Sequence, residues 1–327
     1  MKYFCLYSNC IIVIGESGSV LCDLQNECYY SVPNNLADLL SFNRGTPINL
    51  NKSSQLGKIA NEYFEMLVKN NLGFYTKKPH SYPSLSLDWK NPYGLDYFIY
   101  ELNPLTIVSF SKIIKEINSI GCSTIEIRIS EDLQLIAVED LLKSFKQSRV
   151  RSIYLIIENG QGASIQQIQA LLKGNSRVIK IFVFQCNTDL VENDSYQQIK
   201  DILLLSKEKI TEFETKRMNQ NSFVHNMAAF CEAQEYNIGL NRKLTVDGFG
   251  NFKNHPKHKL ILGSMFEHSL NDIIRNEDLT LLWKVNNNRI EYCRNCQFRF
   301  FCFSEVELIK TEDGKIYKSH YPCGVSK

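Results

Sequence analysis

Residues 97–129 read YFIYELNPLTIVSFSKIIKEINSIGCSTIEIRI. Two periods alternate in this stretch. Tyr97–Glu101 and Thr124–Ile129 are short runs rich in β-branched and aromatic residues, and the second alternates apolar with polar side chains, the period of a strand. Between them, Ile107–Ile120 carries apolar residues at helical spacing, and Gly121 follows at the position of a helix stop. The unit repeats downstream. Glu131–Gln147 predicts a helix with Glu131 and Asp132 in its first turn; Ser152–Ile157 predicts a strand, Ser164–Leu172 a helix and Val178–Phe184 a strand. Strand–helix units of this length imply a parallel sheet with right-handed crossovers, so the fold class is α/β. About four such units fit between residues 95 and 187. That predicts a partial barrel or open sheet and not a closed eight-unit barrel.

Working outward, residues 76–90 have the composition of an extended connector, with Lys77-Lys78-Pro79 and Tyr82-Pro83. Residues 1–78 upstream of it form a separate unit. Cys10–Gly15 and Ser19–Leu24 read as strands joined by a turn at Glu16-Ser17-Gly18, and Cys28–Val32 reads as a third. Pro33 then opens a helix that runs through Leu39 and Leu40. Ser54–Asn70 reads as a stronger one, with Ile59, Tyr63, Met66 and Leu67 on its apolar stripe. Strands, two helices and a closing wing at Phe74-Tyr75 suggest a winged-helix-like fold. On the other side, Asp194–Lys216 reads as one long solvated helix. Residues 223–327 are irregular, with cysteine, histidine, glycine, asparagine and aromatic residues concentrated. Three units result: 1–78, 84–222 and 223–327.

The 327 residues are 44% hydrophobic and 22% charged, with a formal net charge of +2. That is the composition of an ordinary globular chain. The near-neutral balance gives no reason to expect a nucleic-acid or anionic-membrane partner. The apolar run Ile11–Ile14 lacks the flanks of a signal peptide, and no apolar run approaches the roughly 18 residues of a membrane span. A cytoplasmic location is the expectation.

Eleven cysteines is a high count for a cytoplasmic chain, and in a reducing compartment they do not read as a disulfide framework. Cys5, Cys10, Cys22, Cys28, Cys122 and Cys186 are scattered among apolar residues and read as packed thiols. Cys293-x2-Cys296-x5-Cys302-x20-Cys323 is different. A C-x2-C step lets two thiolates reach one metal from a tight turn, and Cys302 and Cys323 complete four ligands. A 4Fe–4S cluster and zinc both accept four thiolates. Tyr292, Phe298, Phe300, Phe301 and Phe303 are placed to keep water from such a site. Cys231 and His255 form a weaker pair: a lone cysteine and a lone histidine so far apart read first as structural, and ligation stays open as the alternative because imidazole can replace a thiolate on iron or zinc. No Gly-x4-Gly-Lys-Ser/Thr run is present to bind a nucleotide.

Residues 231–323 resemble a SPASM domain, the auxiliary-cluster module of radical SAM peptide-modifying enzymes. The resemblance rests on Cys231, Gly250-x4-His255, Cys293-x2-Cys296-x5-Cys302 and Cys323. It implies that Cys293, Cys296, Cys302 and Cys323 hold a 4Fe–4S cluster. It also implies that a first auxiliary site is broken, since His255 and Val306 stand where cysteines are expected. Upstream, the Cys-x3-Cys-x2-Cys triplet that binds the reactive cluster is missing. The expected loop reads LSLDWKNPYGLDYFIYELNPL, from Leu85 to Leu105, without a cysteine. Residues 84–222 therefore resemble a degenerate, partial radical SAM barrel, and reductive cleavage of S-adenosylmethionine is not expected.

The wording FCEAQEYNIGLNRKLTVDGFGNFKNHP around Cys231, from Phe230 to Pro256, resembles the SPASM protein of grasp-with-spasm peptide-maturation systems. That resemblance implies an accessory protein that binds a ribosomally made precursor peptide and cooperates with an ATP-grasp ligase. It implies that the N-terminal unit is a precursor-recognition element, in which a leader peptide adds a strand beside Cys28, Tyr29, Tyr30, Ser31 and Val32 and lies against the second helix, near Tyr63 and Leu67. Two other functions stay open at this point: an iron–sulfur enzyme that modifies the peptide by itself, and a zinc-stabilised interaction protein.

Overall fold

The structure, a computed structural model, describes residues 2–50, 57–78, 80–130, 132–158, 164–186, 196–199, 203–212, 222–312, 314 and 316–319. Its N-terminal unit holds two antiparallel sheets. Strands β1 (Tyr3–Leu6), β5 (Ile48–Asn49) and β6 (Gly73–Thr76) form one, in the order β5-β1-β6. Strands β2 (Cys10–Ile14), β3 (Ser19–Asp23) and β4 (Cys28–Val32) form the other in sequence order, so β4 is an edge strand. Helix α1 (Asn34–Phe42) follows β4 and buries Leu36, Ala37 and Leu40. Helix α2 (Gly57–Lys69) stacks Phe64 on Phe4 of β1 at 4.6 Å between ring centroids. The two predicted helices are present, while β1 and its pairing with β6 are an addition that sequence reading missed. Residues 54–56, the start of the second predicted helix, lie outside the described residues.

The second body is the predicted α/β sheet. Strands β7 (Tyr97–Leu102), β8 (Thr124–Ile129), β9 (Ser152–Ile157) and β10 (Val178–Val183) run parallel and side by side. The helices α3 (Phe110–Ile120), α4 (Leu135–Lys143) and α5 (Ile165–Gly174) connect them in turn. Helix α3 shows why this stretch is helical. Phe110, Ile113, Ile114 and Ile117 recur at three- and four-residue spacing and are buried together. Each side chain contributes about 1.5–3 kcal/mol of gross burial, an upper figure against an extended unfolded chain. Gly121 ends the helix at φ +85°, a left-handed conformation that costs glycine little. Helix α5 starts at a capping box, with Ser164 and Gln167 each bonding the other's backbone.

Two expectations are corrected here. Helix α4 begins at Leu135, four residues after Glu131, because Asp132–Gln134 form a turn. The long helix expected over Asp194–Lys216 is replaced, where described, by strands β11 (Tyr196–Ile199) and β12 (Leu203–Ser206). The run Leu203-Leu204-Leu205 is apolar at every position and fits a buried strand as well as a helix. Packing decides: Leu203 and Leu205 are buried in the core on the helix side while β12 pairs with β10.

The sheet then takes a strand from the C-terminal segment. After the two-residue strand β13 (Ser222–Phe223) and helix α6 (Met227–Glu232), β14 (Lys243–Val246) joins the sheet parallel to β7. Antiparallel strands β15 (Asn251–Lys253) and β16 (Gly263–Ser264) follow it, giving the order β11-β12-β10-β9-β8-β7-β14-β15-β16 among the described residues. Six of these strands are mutually parallel, and the sheet is open at both edges. Helices cover one face. On it, Ile125, Ile127, Ile129, Ile153, Leu155, Ile181, Val183, Leu244 and Val246 build the main core. The chain closes with β17 (Cys302–Phe303), which pairs with β13, and the hairpin β18 (Leu308–Lys310) and β19 (Tyr317–Ser319). Among the described residues no helix is long and apolar enough to cross a membrane.

Candidate functional site

The cysteine loop is built from one tight turn and one short strand. Cys293 opens a 3-10 turn, Cys293–Asn295, and the Cys296 N–H donates to the Cys293 carbonyl at 2.9 Å. The two thiols therefore hang from the ends of a single turn, as a C-x2-C step requires. The Phe298 N–H donates to the Cys296 sulfur at 3.4 Å, a bond that strengthens when the sulfur is anionic. Cys302 lies on β17, paired with Phe223, and Asn287 Nδ2 donates to the Arg299 carbonyl at 2.7 Å and to that of Cys302 at 3.4 Å. Cys293, Cys296 and Cys302 are each half-buried. Cys323 lies outside the described residues. Among the described residues no set of three or more His, Cys, Asp or Glu side chains is grouped as metal ligands. The turn and the sulfur-directed N–H suit thiolate ligation from Cys293 and Cys296, while Cys302 is not gathered with them into a ligand group. The expected aromatic wall is dispersed: Tyr292 is 66% exposed, whereas Phe301 is buried against Phe230.

The N-terminal unit docks on this loop. At the tip of the β2–β3 hairpin, the Glu16 N–H donates to the Asn295 carbonyl at 2.7 Å. Arg299 Nη1 donates to the Ile14 carbonyl at 2.7 Å and to the Cys296 carbonyl at 2.9 Å. Behind these bonds, Ile11, Val13, Val20 and Cys22 share an apolar cluster with Phe230 and Phe301. Leu85 and Leu87 of the connector pack on the same cluster. The connector is thus bound down, and Tyr82 N–H donates to the Gly45 carbonyl at 2.7 Å.

The expected peptide-binding residues divide by burial. Along β4, Tyr29 and Ser31 are exposed, Cys28 and Tyr30 are half-buried, and Val32 is buried. Tyr29 stacks on His225 and meets Phe298 of the cysteine loop edge-on, both at 5.2 Å. On α2, Tyr63 is half-buried, but Leu67 is wholly buried in the N-terminal core. Leu67 packs the unit and does not line a groove. The apolar stripe that made it a candidate is the stripe that fills the core.

Cys231 and His255 are also placed apart by their partners. Cys231 is buried on α6, where burial and the nearby Asp88 charge push its thiol pKa up. His255 follows β15, and burial holds its imidazole well below the ordinary value, outweighing the opposing Glu305 carboxylate. The 3.9 Å approach of His255 Nε2 to Glu305 is therefore a contact of a neutral ring and not an ion pair. Its Nδ1 accepts from the Lys257 N–H at 3.3 Å. Among the described residues no contact joins Cys231 to His255.

The structure reveals a site that sequence reading missed. The sheet face opposite the helices lines a cavity of about 670 Å³, closed on one side by the C-terminal segment. Strand register sets its floor. Ile99, Glu126, Tyr154 and Lys180 stand side by side across β7, β8, β9 and β10. Arg128, Ile156, Phe182 and Leu204 form the next rank. From the other side come Arg242 and Lys243 at the start of β14, with His255, Phe303 and Glu305. Arg242 sits at φ +52°, the left-handed region, and its carbonyl accepts from the N–H groups of Asp96 and Tyr97.

Most charges in the cavity are already paired. Arg128 Nε meets Glu126 Oε1 at 2.7 Å with both side chains almost wholly buried, and the Tyr97 hydroxyl donates to Glu126 Oε2 at 2.6 Å. Burial and Glu126 together hold the Tyr97 phenol pKa well above its usual value. Lys243 Nζ bonds Glu305, and His258 bonds the Glu305 carbonyl at 2.9 Å. Arg242 Nη2 meets Asp96 at 2.9 Å and Glu232 at 3.9 Å, with its guanidinium over the Trp89 ring at 4.6 Å. The signal for this site was present in the strands: Glu126 and Arg128 alternate with isoleucines, and Lys180 sits between Ile179 and Ile181. Charged residues at alternate positions of a parallel strand are unusual, because such strands are covered on both faces.

No protein-family model matches this chain. No curated protein matches it either. Among solved structures, SuiB of Streptococcus suis, crystallised bound to S-adenosylmethionine, aligns over 93% of this chain and 95% of its own, at 13% identity and a TM-score of 0.32. A likeness of that size carries no argument about this chain.

Proposed function

We propose that this chain is an accessory protein in the maturation of a ribosomally made peptide, binding the precursor and cooperating with an ATP-grasp ligase. In this reading Cys293, Cys296, Cys302 and Cys323 hold a 4Fe–4S cluster. The observation that supports it most is the placement of β4. It is the edge of a three-stranded sheet, available for strand addition, and its Tyr29 touches Phe298 within the cysteine loop. A peptide added at that edge would lie beside the cysteines. When bound, the cluster would supply four covalent ties to the loop. This chain's own residues bind and orient: β4 through its backbone and Ser31 through its exposed side chain, while Tyr29 is held against His225 and Phe298. The cavity of about 670 Å³ favours a second reading, in which the chain acts on the peptide by itself, since concave sites of this size with a few convergent polar groups commonly hold substrate.

The test uses full-length protein purified without oxygen. Iron, sulfide and zinc are quantified for the wild type and for Cys296→Ala. Hydrogen exchange of residues 28–32 is then followed as the precursor peptide encoded beside this protein is added. Four irons and four sulfides per chain, lost in the variant, together with slowed exchange in β4, is the expected result. Zinc without sulfide would replace the cluster by a zinc site. Unchanged exchange in β4 at saturating peptide would remove the peptide reading, and turnover of the peptide without the ligase would establish the second.

A further inference from the structure

The cavity lining carries four cations and four carboxylates, Asp96, Glu126, Glu232 and Glu305, but their pairing is uneven. Of its four cations, Arg128 is paired with Glu126, Lys243 with Glu305, and Arg242 with Asp96 and Glu232. The fourth, Lys180, has no carboxylate within ion-pair distance among the described residues. On an outer face such a lysine would be a solvated surface charge. Lys180 is half-buried on the concave face, and its Nζ lies 5.3 Å from the centroid of the Phe182 ring. Its register neighbour on the adjacent strand is Tyr154, about 4.8 Å away across the sheet, whose hydroxyl makes no hydrogen bond among the described residues. An ammonium and a phenol therefore stand together on the cavity floor with donors to spare.

In the next rank, beside the paired Arg128, stand three apolar side chains, Ile156, Phe182 and Leu204. We propose that the cavity binds a carboxylate carried on an apolar body, the carboxylate on Lys180 and Tyr154 and the body on the shelf of Ile156, Phe182 and Leu204. A monoanion suits this local imbalance, in which two carboxylates share Arg242 and none among the described residues pairs with Lys180. One uncompensated cation and one hydroxyl suit a carboxylate, whereas a phosphate dianion calls for more donors, and the remaining cations here are already neutralised. The volume is within the range of sites for organic ligands of several hundred Å³. The carboxylate has two sources, a small carboxylic acid or an acidic side chain of a peptide. This assignment goes beyond the peptide reading and does not need the cysteine site to be loaded.

The test is calorimetry or ligand-observed NMR on the full-length protein. Two matched pairs serve as probes: 3-phenylpropionate against 3-phenylpropanamide, and acetyl-Leu-Glu-Leu-amide against its Gln counterpart. The acid of at least one pair should bind at least about tenfold more tightly than its neutral partner. Lys180→Gln should abolish that preference, and Lys180→Arg should keep it. Discrimination in the first pair alone assigns a small acid, and in the second alone a peptide side chain. Thermal melts of both variants should match the wild type, since Lys180 supports no ion pair. Equal binding of acid and amide, unchanged discrimination in Lys180→Gln, or no binding of any probe at about 10 mM, a concentration at which even a single-contact ligand registers, overturns the proposal.

Discussion

Gly15→Ala adds one methyl group at the join between the N-terminal hairpin and the cysteine loop. A Cβ at Gly15 would lie 2.5 Å from the Gln297 backbone nitrogen and 2.8 Å from both Gln297 Oε1 and the Gly18 carbonyl oxygen. Comfortable contact for a carbon is about 3.5 Å, so hairpin and loop must separate by about 1 Å. Backbone atoms have no rotamer with which to give way. The bonds that flank Gly15, Glu16 N–H to Asn295 and Arg299 Nη1 to Ile14, are both 2.7 Å long. Lengthened by that amount they pass out of hydrogen-bonding range. A neutral bond is worth about 1 kcal/mol and one from a charged donor about 1.5–3, so the variant should lose about 2–4 kcal/mol. Gly18→Ala in the same turn is the control. Its Cβ has only Gln297 Nε2 nearby, at 4.0 Å, and glycine-to-alanine at a compatible site is neutral or slightly stabilising. In thermal melts of the full chain, Gly15→Ala should unfold several degrees lower, roughly 3–8 °C, while Gly18→Ala stays within about 1 °C of wild type. Equal melting of the two variants would refute the docking described above.

Two further outcomes follow from the cavity wall. Glu126→Ala leaves Arg128 with a buried charge that has lost its carboxylate, and should cost about 3–5 kcal/mol in urea denaturation; the double variant with Arg128→Ala should recover part of that loss, and simple additivity of the two single effects would deny the coupling. His255 and His258 both have pKa values held down by burial. The folded state resists protonation that the unfolded state accepts near pH 6.5, so the stability they contribute is complete above that pH and is lost as the pH falls towards the folded values. Each group should then remove about 1.4 kcal/mol per pH unit below 6.5, and His255→Asn should flatten the slope of melting temperature between pH 6.5 and 5.5; an unchanged slope would show that His255 is not the titrating group.

The units read from periodicity were legible because their apolar residues mark one face. The isoleucines of Thr124–Ile129 and the stripe of Phe110, Ile113, Ile114 and Ile117 each declare the face that packs on the core, although the polar face of β8 is buried as well. Strand β14 was not legible. Lys243-Leu244-Thr245-Val246 is short and all buried, and its place beside β7 depends on a chain segment that begins well over a hundred residues later. Such pairings leave no local pattern. Strand β12 was misread for the related reason that an unbroken apolar run has no period. The C-x2-C turn was legible, since a tight turn is a property of the local chain, and so was the edge position of β4, followed at once by Pro33. Leu67 was misplaced because an apolar stripe on a helix does not say which members face the core and which face a ligand.

The cavity was the least legible feature, because its floor is a rank across strands and not a motif along one. Ile99, Glu126, Tyr154 and Lys180 are separated by some 25 residues each and meet only through register. One short segment ties that cavity to the rest of the molecule. Within residues 296–305, Phe298 and Arg299 touch the N-terminal unit, Cys296 and Cys302 belong to the cysteine loop, and Phe303 and Glu305 line the cavity. Side chains of β17 alternate between faces, so Cys302 and Phe303 point to opposite sides of it. A metal fixing Cys296 and Cys302 would therefore hold at once the surface on which β4 rests and the wall that positions Glu305 against Lys243. The docked N-terminal hairpin and the wall of the cavity are thus joined through this strip, and Gly15→Ala perturbs one end of it while His255→Asn, beside Glu305, perturbs the other.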